Sequence, residues 1–182
     1  MTPEQKEIFG SFIIEALAFC DTVDSHQTIP LGRFVRELAI RVVRLYAAAL
    51  QLPDLTWPTS DKTSEVLADA FTCEQAAALT RALEEKLGSH NTYREIFDPY
   101  DDPDEEAIYG SLGRDLAEIY NDLPDVLAAY DQTKEENLHE TLWSARFQFG
   151  YHWSEHATKA LRVMDSLLYR QYIESLEGDL DA

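Results

Sequence analysis

The stretch PLGRFVRELAIRVVRLYAAALQ, residues 30–51, carries Leu31, Phe34, Val35, Leu38, Val42, Leu45, Tyr46 and Ala49 at steps of three and four. Side chains spaced this way fall on one side of a helix, and burying that side against a neighbour stabilises it. Pro30 suits a helix start, because its fixed φ is helical and its missing N–H would have had no partner there. The spacing predicts a helix through Gln51, and the same rhythm recurs on both sides of it.

Upstream, Ile8, Phe9, Phe12, Ile13, Ala16, Leu17, Phe19, Cys20 and Val23 predict a first helix over residues 3–23. Downstream, Pro53 and Pro58 interrupt helical bonding around Trp57, which predicts a loop plugging one large aromatic into the core. Thr72 and Gln75 have the spacing of a capping box, so a third helix should run from Cys73 to Leu87 and close at Gly88. The run FDPYDDPDEE, residues 97–106, holds two prolines and six acids and reads as an acidic connection. A fourth helix should carry Ile108, Tyr109, Leu112, Leu116, Ile119, Tyr120 and Leu123, with Pro124 kinking or restarting it before Val126. A fifth should run from about Glu135 to Leu176, with Gly150 as its weak point. No segment alternates apolar and polar long enough to predict a strand. The expected fold class is all-α: one domain over residues 1–182, an irregular antiparallel bundle of about five principal helices with a long C-terminal helix.

A chain of 182 residues is long enough to bury roughly 70% of its unfolded surface. Its 34 acids and 15 bases leave a formal charge of -19, a field that repels nucleic-acid phosphates and anionic lipid and disfavours both as partners. Cys20 and Cys73 are the only cysteines, and no basic segment followed by an apolar run opens the chain. A reduced, cytoplasmic protein is expected. Charged residues cut every apolar stretch well short of the roughly 20 residues that cross a bilayer.

YREIFDP (93–99), IYGSLGRDLAEIYNDL (108–123) and WSARFQFGYHWSEHATKAL (143–161) resemble a bacterial helical family known as domain of unknown function 5063. The likeness lies in the Phe-Asp-Pro turn, the Gly-Ser-Leu helix opening, the Asp-Leu-Ala-x-Ile-Tyr core and the Arg-Phe-x-Phe followed by two histidines, and it spans roughly the C-terminal half. In that family an acid commonly stands where this chain has Arg114, so the resemblance gives little support to paired carboxylates at Asp115. The resemblance implies a helical fold and no particular reaction.

On a wheel of the fifth helix, Trp143, Phe147, Phe149, Trp153, Leu161, Met164 and Leu168 form one apolar arc with Arg146 near its middle. A guanidinium aimed into a core needs a carboxylate, and Asp115, then Glu118, are the expected partners, locking the fourth helix against the fifth. The competing reading makes Arg146 a clamp for an anionic ligand, in a pocket between these helices with Asp115, His152, His156, Tyr109 and Tyr120.

His152, Glu155 and His156 spell H-x-x-E-H, the letters of an inverted zinc-protease motif. A third protein ligand is missing at usable spacing, so hydrogen-bonded wall residues are the expected role, with no metal and no cofactor. Glu136 and His139 give a single E-x-x-H where a di-iron bundle needs two. The acids of 97–106 lack the glycine and ligand spacing of a calcium loop. Arg33, Arg36, Arg41 and Arg44 form a cationic island opposite the apolar stripe of the second helix, a candidate patch for an unknown protein partner or self-association. No nucleophile elbow or phosphate-cradling glycine loop is present. These readings favour a non-catalytic interaction or accessory protein, with a bundle that binds or processes a small anionic molecule as the alternative.

Overall fold

The computed structural model describes residues 1–56, 72–95, 108–132 and 138–180. Helix α1 spans Pro3–Asp24 and α2 spans Leu31–Leu50. A capping box starts α1, with the Thr2 hydroxyl accepting from the Gln5 amide and the Gln5 side chain accepting from Thr2 N–H. Pro30 stands at the N-cap of α2, one position before the place its sequence suggests. The two helices pack along their lengths, and Phe9, Phe12, Phe19, Phe34, Leu38 and Leu45 between them are wholly buried.

Helix α3 runs over Cys73–Leu87, capped by Thr72 and Gln75 as the spacing requires. It ends at Gly88, whose φ of 53° is open to a glycine at little cost. After it the sequence expectation fails in one respect. Thr92–Glu95 and Ile108–Ser111 form an antiparallel pair, β1 and β2, with Tyr93 opposite Gly110 and Arg94 opposite Tyr109. Ile108 and Tyr109 therefore belong to a strand and not to the start of the fourth helix. Four residues per strand are too few to show alternation, and their pairing joins segments distant in sequence.

Helix α4, Leu112–Asn121, opens directly from β2, and α5, Leu123–Gln132, restarts at Pro124. Ser111 caps α4, and Asn91 accepts from the Gly113 amide at 2.8 Å, which ties the helix start to the turn after α3. The last segment comprises α6, Leu138–Gln148, a π-helical turn over Phe149–Trp153, and α7, Ser154–Leu180. Gly150 lies inside the π turn.

That turn corrects the single-wheel reading of the fifth helix. Its buried apolar residues are Leu142, Ala145, Phe149, Trp153, Ala157, Ala160 and Met164, so the interval of four is repeated where a regular helix would return to three. A π turn absorbs the extra residue and rotates α6 relative to α7. Trp143 and Phe147 consequently leave the core, and Phe147 is 46% exposed.

One hydrophobic cluster joins α1, α2, α3, α4, α5, α6 and α7, and α7 packs against both α2 and α4. The fold is an all-α bundle with a small β ribbon at one edge. Among the described residues, no helix is long and apolar enough to cross a membrane. The expected Trp57 plug, the acidic connection 97–106 and Glu136 lie outside the described residues.

Candidate functional site

Asp115 is the buried charge that the sequence placed between helices, but its partners differ from the expected one. Its Oδ1 accepts from His156 Nδ1 at 2.8 Å and its Oδ2 accepts from the Tyr93 hydroxyl at 2.6 Å. The Asp115 side chain is 7% exposed and that of His156 21%, so this chain fastens β1, α4 and α7 in a region largely closed to water. Tyr93 reaches Asp115 across Gly110, where any Cβ would collide with the Tyr93 ring. Only glycine leaves room for that approach.

One turn earlier, His152 Nδ1 donates to Asp122 Oδ2 at 2.7 Å. Burial pushes the Asp122 carboxyl up from its ordinary range, and the bond from His152 offsets this only in part. The two imidazoles stand 5.1 Å apart, centre to centre, with planes crossing at 78°. Glu155, the glutamate of the motif, turns to Lys159 at 2.6 Å, and that bond holds its carboxyl below the usual range despite some desolvation.

Arg146 pairs with neither Asp115 nor Glu118. Its Nη2 meets Asp54 Oδ1 at 2.9 Å, its guanidinium lies 5.7 Å from the centre of the Phe149 ring, and Arg114 takes Glu118 at 3.5 Å. The rotation at the π turn is the reason: the arc that seemed to surround Arg146 is split, its buried members lying in the π turn and α7, while Trp143 and Phe147 leave the core and α6 buries Leu142 and Ala145 instead. Arg146 lines a hollow of about 340 Å³ with Asp54, Leu55, Trp143, Phe147 and Tyr151. Tyr109 is 72% exposed. The Tyr120 hydroxyl bonds Asp24, and burial, with Asp24 next, pushes its pKa far above the usual range. Of the six residues proposed for one pocket, the structure joins Asp115 to His156 with His152 beside them, and it sends Arg146, Tyr109 and Tyr120 elsewhere.

A cleft of about 760 Å³ lies between the turn after α3, strand β1 and the outer face of α7. His90, Arg94, Lys159, Arg162 and Arg170 line it, together with the hydroxyls of Ser89, Thr92, Thr158 and Ser166. Glu155 is the one carboxylate among its described lining residues. Tyr93 contributes to its wall while bonding Asp115, so the cleft and the histidine region share a side chain. Sequence reading missed this cleft, although Glu155, Lys159, Arg162, Ser166 and Arg170 repeat at three and four along the polar face of the last helix. The other wall comes from β1, which the helical pattern did not reveal.

On α2, Arg33 pairs with Glu37 at 2.7 Å, while Arg36, Arg41 and Arg44 have no ion pair among the described residues. Exposed Ile40, Val43 and Leu50 lie on the same helix. Cys20 is buried and its thiol is pushed up to about 12, by burial first and by Asp24 and Asp21 after it, which leaves it a poor nucleophile.

The sequence profile described as Domain of unknown function (DUF5063) matches residues 4–170. The chain belongs to the DUF5063 family. The match takes in α1 and α2 as well as the C-terminal motifs, so the family extends over nearly the whole bundle. No curated protein sequence matches this DUF5063 chain. Among solved structures, protein BF1032 from Bacteroides fragilis is similar with a TM-score of 0.73 at 22% identity, over 86% of this chain and 89% of that one. At that identity the likeness shows a shared fold.

Proposed function

We propose that this DUF5063 protein is a binding or accessory protein, without a reaction of its own, that holds a small multivalent anion in the cleft between β1 and α7. One observation carries the reading: besides Lys159, which Glu155 already holds, the cationic or imidazole side chains of His90, Arg94, Arg162 and Arg170 converge on a single cleft of a chain whose formal charge is -19. Like charges gathered in one place raise each other's energy, so the arrangement is costly unless an anion relieves it. The acidic remainder of the molecule repels extended polyanions, whereas the local cations act within a Debye length of about 8 Å. A compact ligand fits both conditions.

Arg94 and Arg162 are exposed, so reversing their charge leaves the core intact. A hydrogen bond to a charged group contributes about 1.5–3 kcal/mol, or roughly ten- to a hundredfold in Kd. Titration calorimetry with inorganic pyrophosphate and tripolyphosphate should show binding that weakens with salt and falls by at least about tenfold in Arg94→Glu and in Arg162→Glu. Equal binding by wild type and both variants, or no binding by wild type, contradicts the reading.

The α2 face favours a second, separate reading as a self-association surface, because its unpaired arginines alternate with the exposed apolar Ile40 and Val43. Arginine with aliphatic side chains suits an interface core, and a second copy supplies abundant acid. Sedimentation should then show a dimer at low salt that dissociates at high salt and in Arg36→Glu/Arg44→Glu. A monomer at every salt concentration would count against it.

A further inference from the structure

We infer that the arginine face of α2 docks on the outer face of α1 in a second copy of this chain, so that two α1–α2 hairpins close into a four-helix layer. The inference rests on the self-association reading above and names its counter-surface. Joined by residues 25–30 and packed along their lengths, α1 and α2 run antiparallel. Their inner sides carry the wholly buried Phe9, Phe12, Phe19, Phe34, Leu38 and Leu45 and meet α4, α5 and α7.

The outer sides are open. On α2, Arg33, Arg36, Ile40, Val43, Ala47 and Leu50 are all exposed, at alternating steps of three and four. On α1, Glu7, Ile14, Leu17 and Asp21 are exposed at steps of seven, three and four. That repeat is the seam along which paired helices meet. A single exposed apolar residue is ordinary, but Ile14, Leu17, Ile40 and Val43 fall together at the middle of the two stripes.

Charge decides which stripe meets which. The α1 stripe holds Glu7 and Asp21 and no base, whereas the α2 stripe holds Arg33 and Arg36, with the exposed Arg44 beside it, and no acid. Counted from the helix ends at the connection, Asp21 lies three residues in and Arg36 five, Ile14 ten and Ile40 nine. At about 1.5 Å per residue, each of these pairs stands at nearly the same height. A two-fold axis across the helices would lay α1 on α1 and α2 on α2 in reverse, bringing Glu7 to Asp21 and Arg36 to Arg44 of the other copy. An axis along the helices lays α1 on α2 instead, acid on arginine and Ile14 and Leu17 on Ile40 and Val43. Only the second arrangement matches in both charge and apolarity. Two helices of about 30 Å length and 10 Å width offer roughly 600 Å² per copy, the low end for a specific interface, as suits a salt-sensitive dimer.

The test is sedimentation velocity and disulfide trapping of the full chain at low salt. Asp21→Arg alone and Arg36→Glu alone should each weaken dimerisation at least about tenfold, because like charges then face each other. An equimolar mixture of the two variants should dimerise again, since each reversed charge meets its opposite. In a Cys73→Ser background, which removes the exposed native thiol, Leu17→Cys mixed with Ile40→Cys should form a linked heterodimer on mild oxidation, and neither should link to itself. All four positions are exposed, and circular dichroism checks that each variant folds. A wild-type dimer that Asp21→Arg leaves as tight, or in which Leu17→Cys links to itself, overturns the α1–α2 pairing and leaves self-association through α2 standing. A monomer at every salt concentration overturns both.

Discussion

Trp153→Ala should destabilise the protein by about 3–5 kcal/mol, the cost of removing a large buried aromatic without refilling its space. Trp153 is 1% exposed at the last residue of the π turn, and its ring packs against Phe149 with centres 4.7 Å apart. Chains of this size lose roughly 2–4 °C in Tm per kcal/mol, so thermal unfolding should move down by on the order of 10 °C. Tyr151→Ala, two positions away and 81% exposed, should shift Tm far less, because a largely solvated ring gives up little on removal. Trp143→Ala should fall between them. Equal losses at Trp143 and Trp153 would favour one uniform helix with both rings in the core, and would contradict the rotation at Phe149–Trp153.

Asp115→Ala should cost on the order of 3 kcal/mol, because it strands two partners at once. The Tyr93 hydroxyl and His156 Nδ1 both donate to this carboxylate, and neither reaches bulk water freely. The loss should lie toward the lower part of the range for broken buried pairs, since His156 retains 21% exposure and water can partly replace its bond. Asp115→Asn keeps the shape and one accepting oxygen and should cost less than half as much. Chemical denaturation checks both, with the midpoint shifting at constant slope if the native contacts are the cause. An alanine variant as stable as wild type would show that the Tyr93–Asp115–His156 chain does not fasten β1 and α4 to α7.

What could be read from the sequence follows from how local each signal is. Thr72, Gln75 and Gly88 fix both ends of α3 through bonds within a few residues of themselves, so the letters alone define that helix. The stripe of α2 is similarly self-contained. The π turn is written in the sequence as Leu142, Ala145, Phe149, Trp153, Ala157, Ala160 and Met164, with the interval of four repeated, but one wheel drawn across the whole segment averages the two halves. That averaging placed Arg146 in the core and gave it Asp115 as a partner. The acidic partner of Arg146, Asp54, lies in the loop after α2, where no helical period leads to it.

The β ribbon was hidden for a different reason. Thr92–Glu95 pairs with Ile108–Ser111 across a connection longer than either strand, and no local pattern of four residues specifies such a partner. The cleft depends on that ribbon for one wall. Its other wall, the cationic stripe of α7, was present in the sequence but was not singled out there. The histidines were recognised by spelling alone, while the carboxylates behind them, Asp115 and Asp122, come from α4 and the turn after it and become visible only once the helices are packed.

The most direct measurement for the anion-binding reading is a backbone amide chemical-shift titration of the full chain with tripolyphosphate. Concentration-dependent shifts confined to residues 89–94 and 155–170, absent in Arg162→Glu, are the predicted result. Shifts centred on Trp143, Phe147 and Tyr151, or none at all, would contradict it.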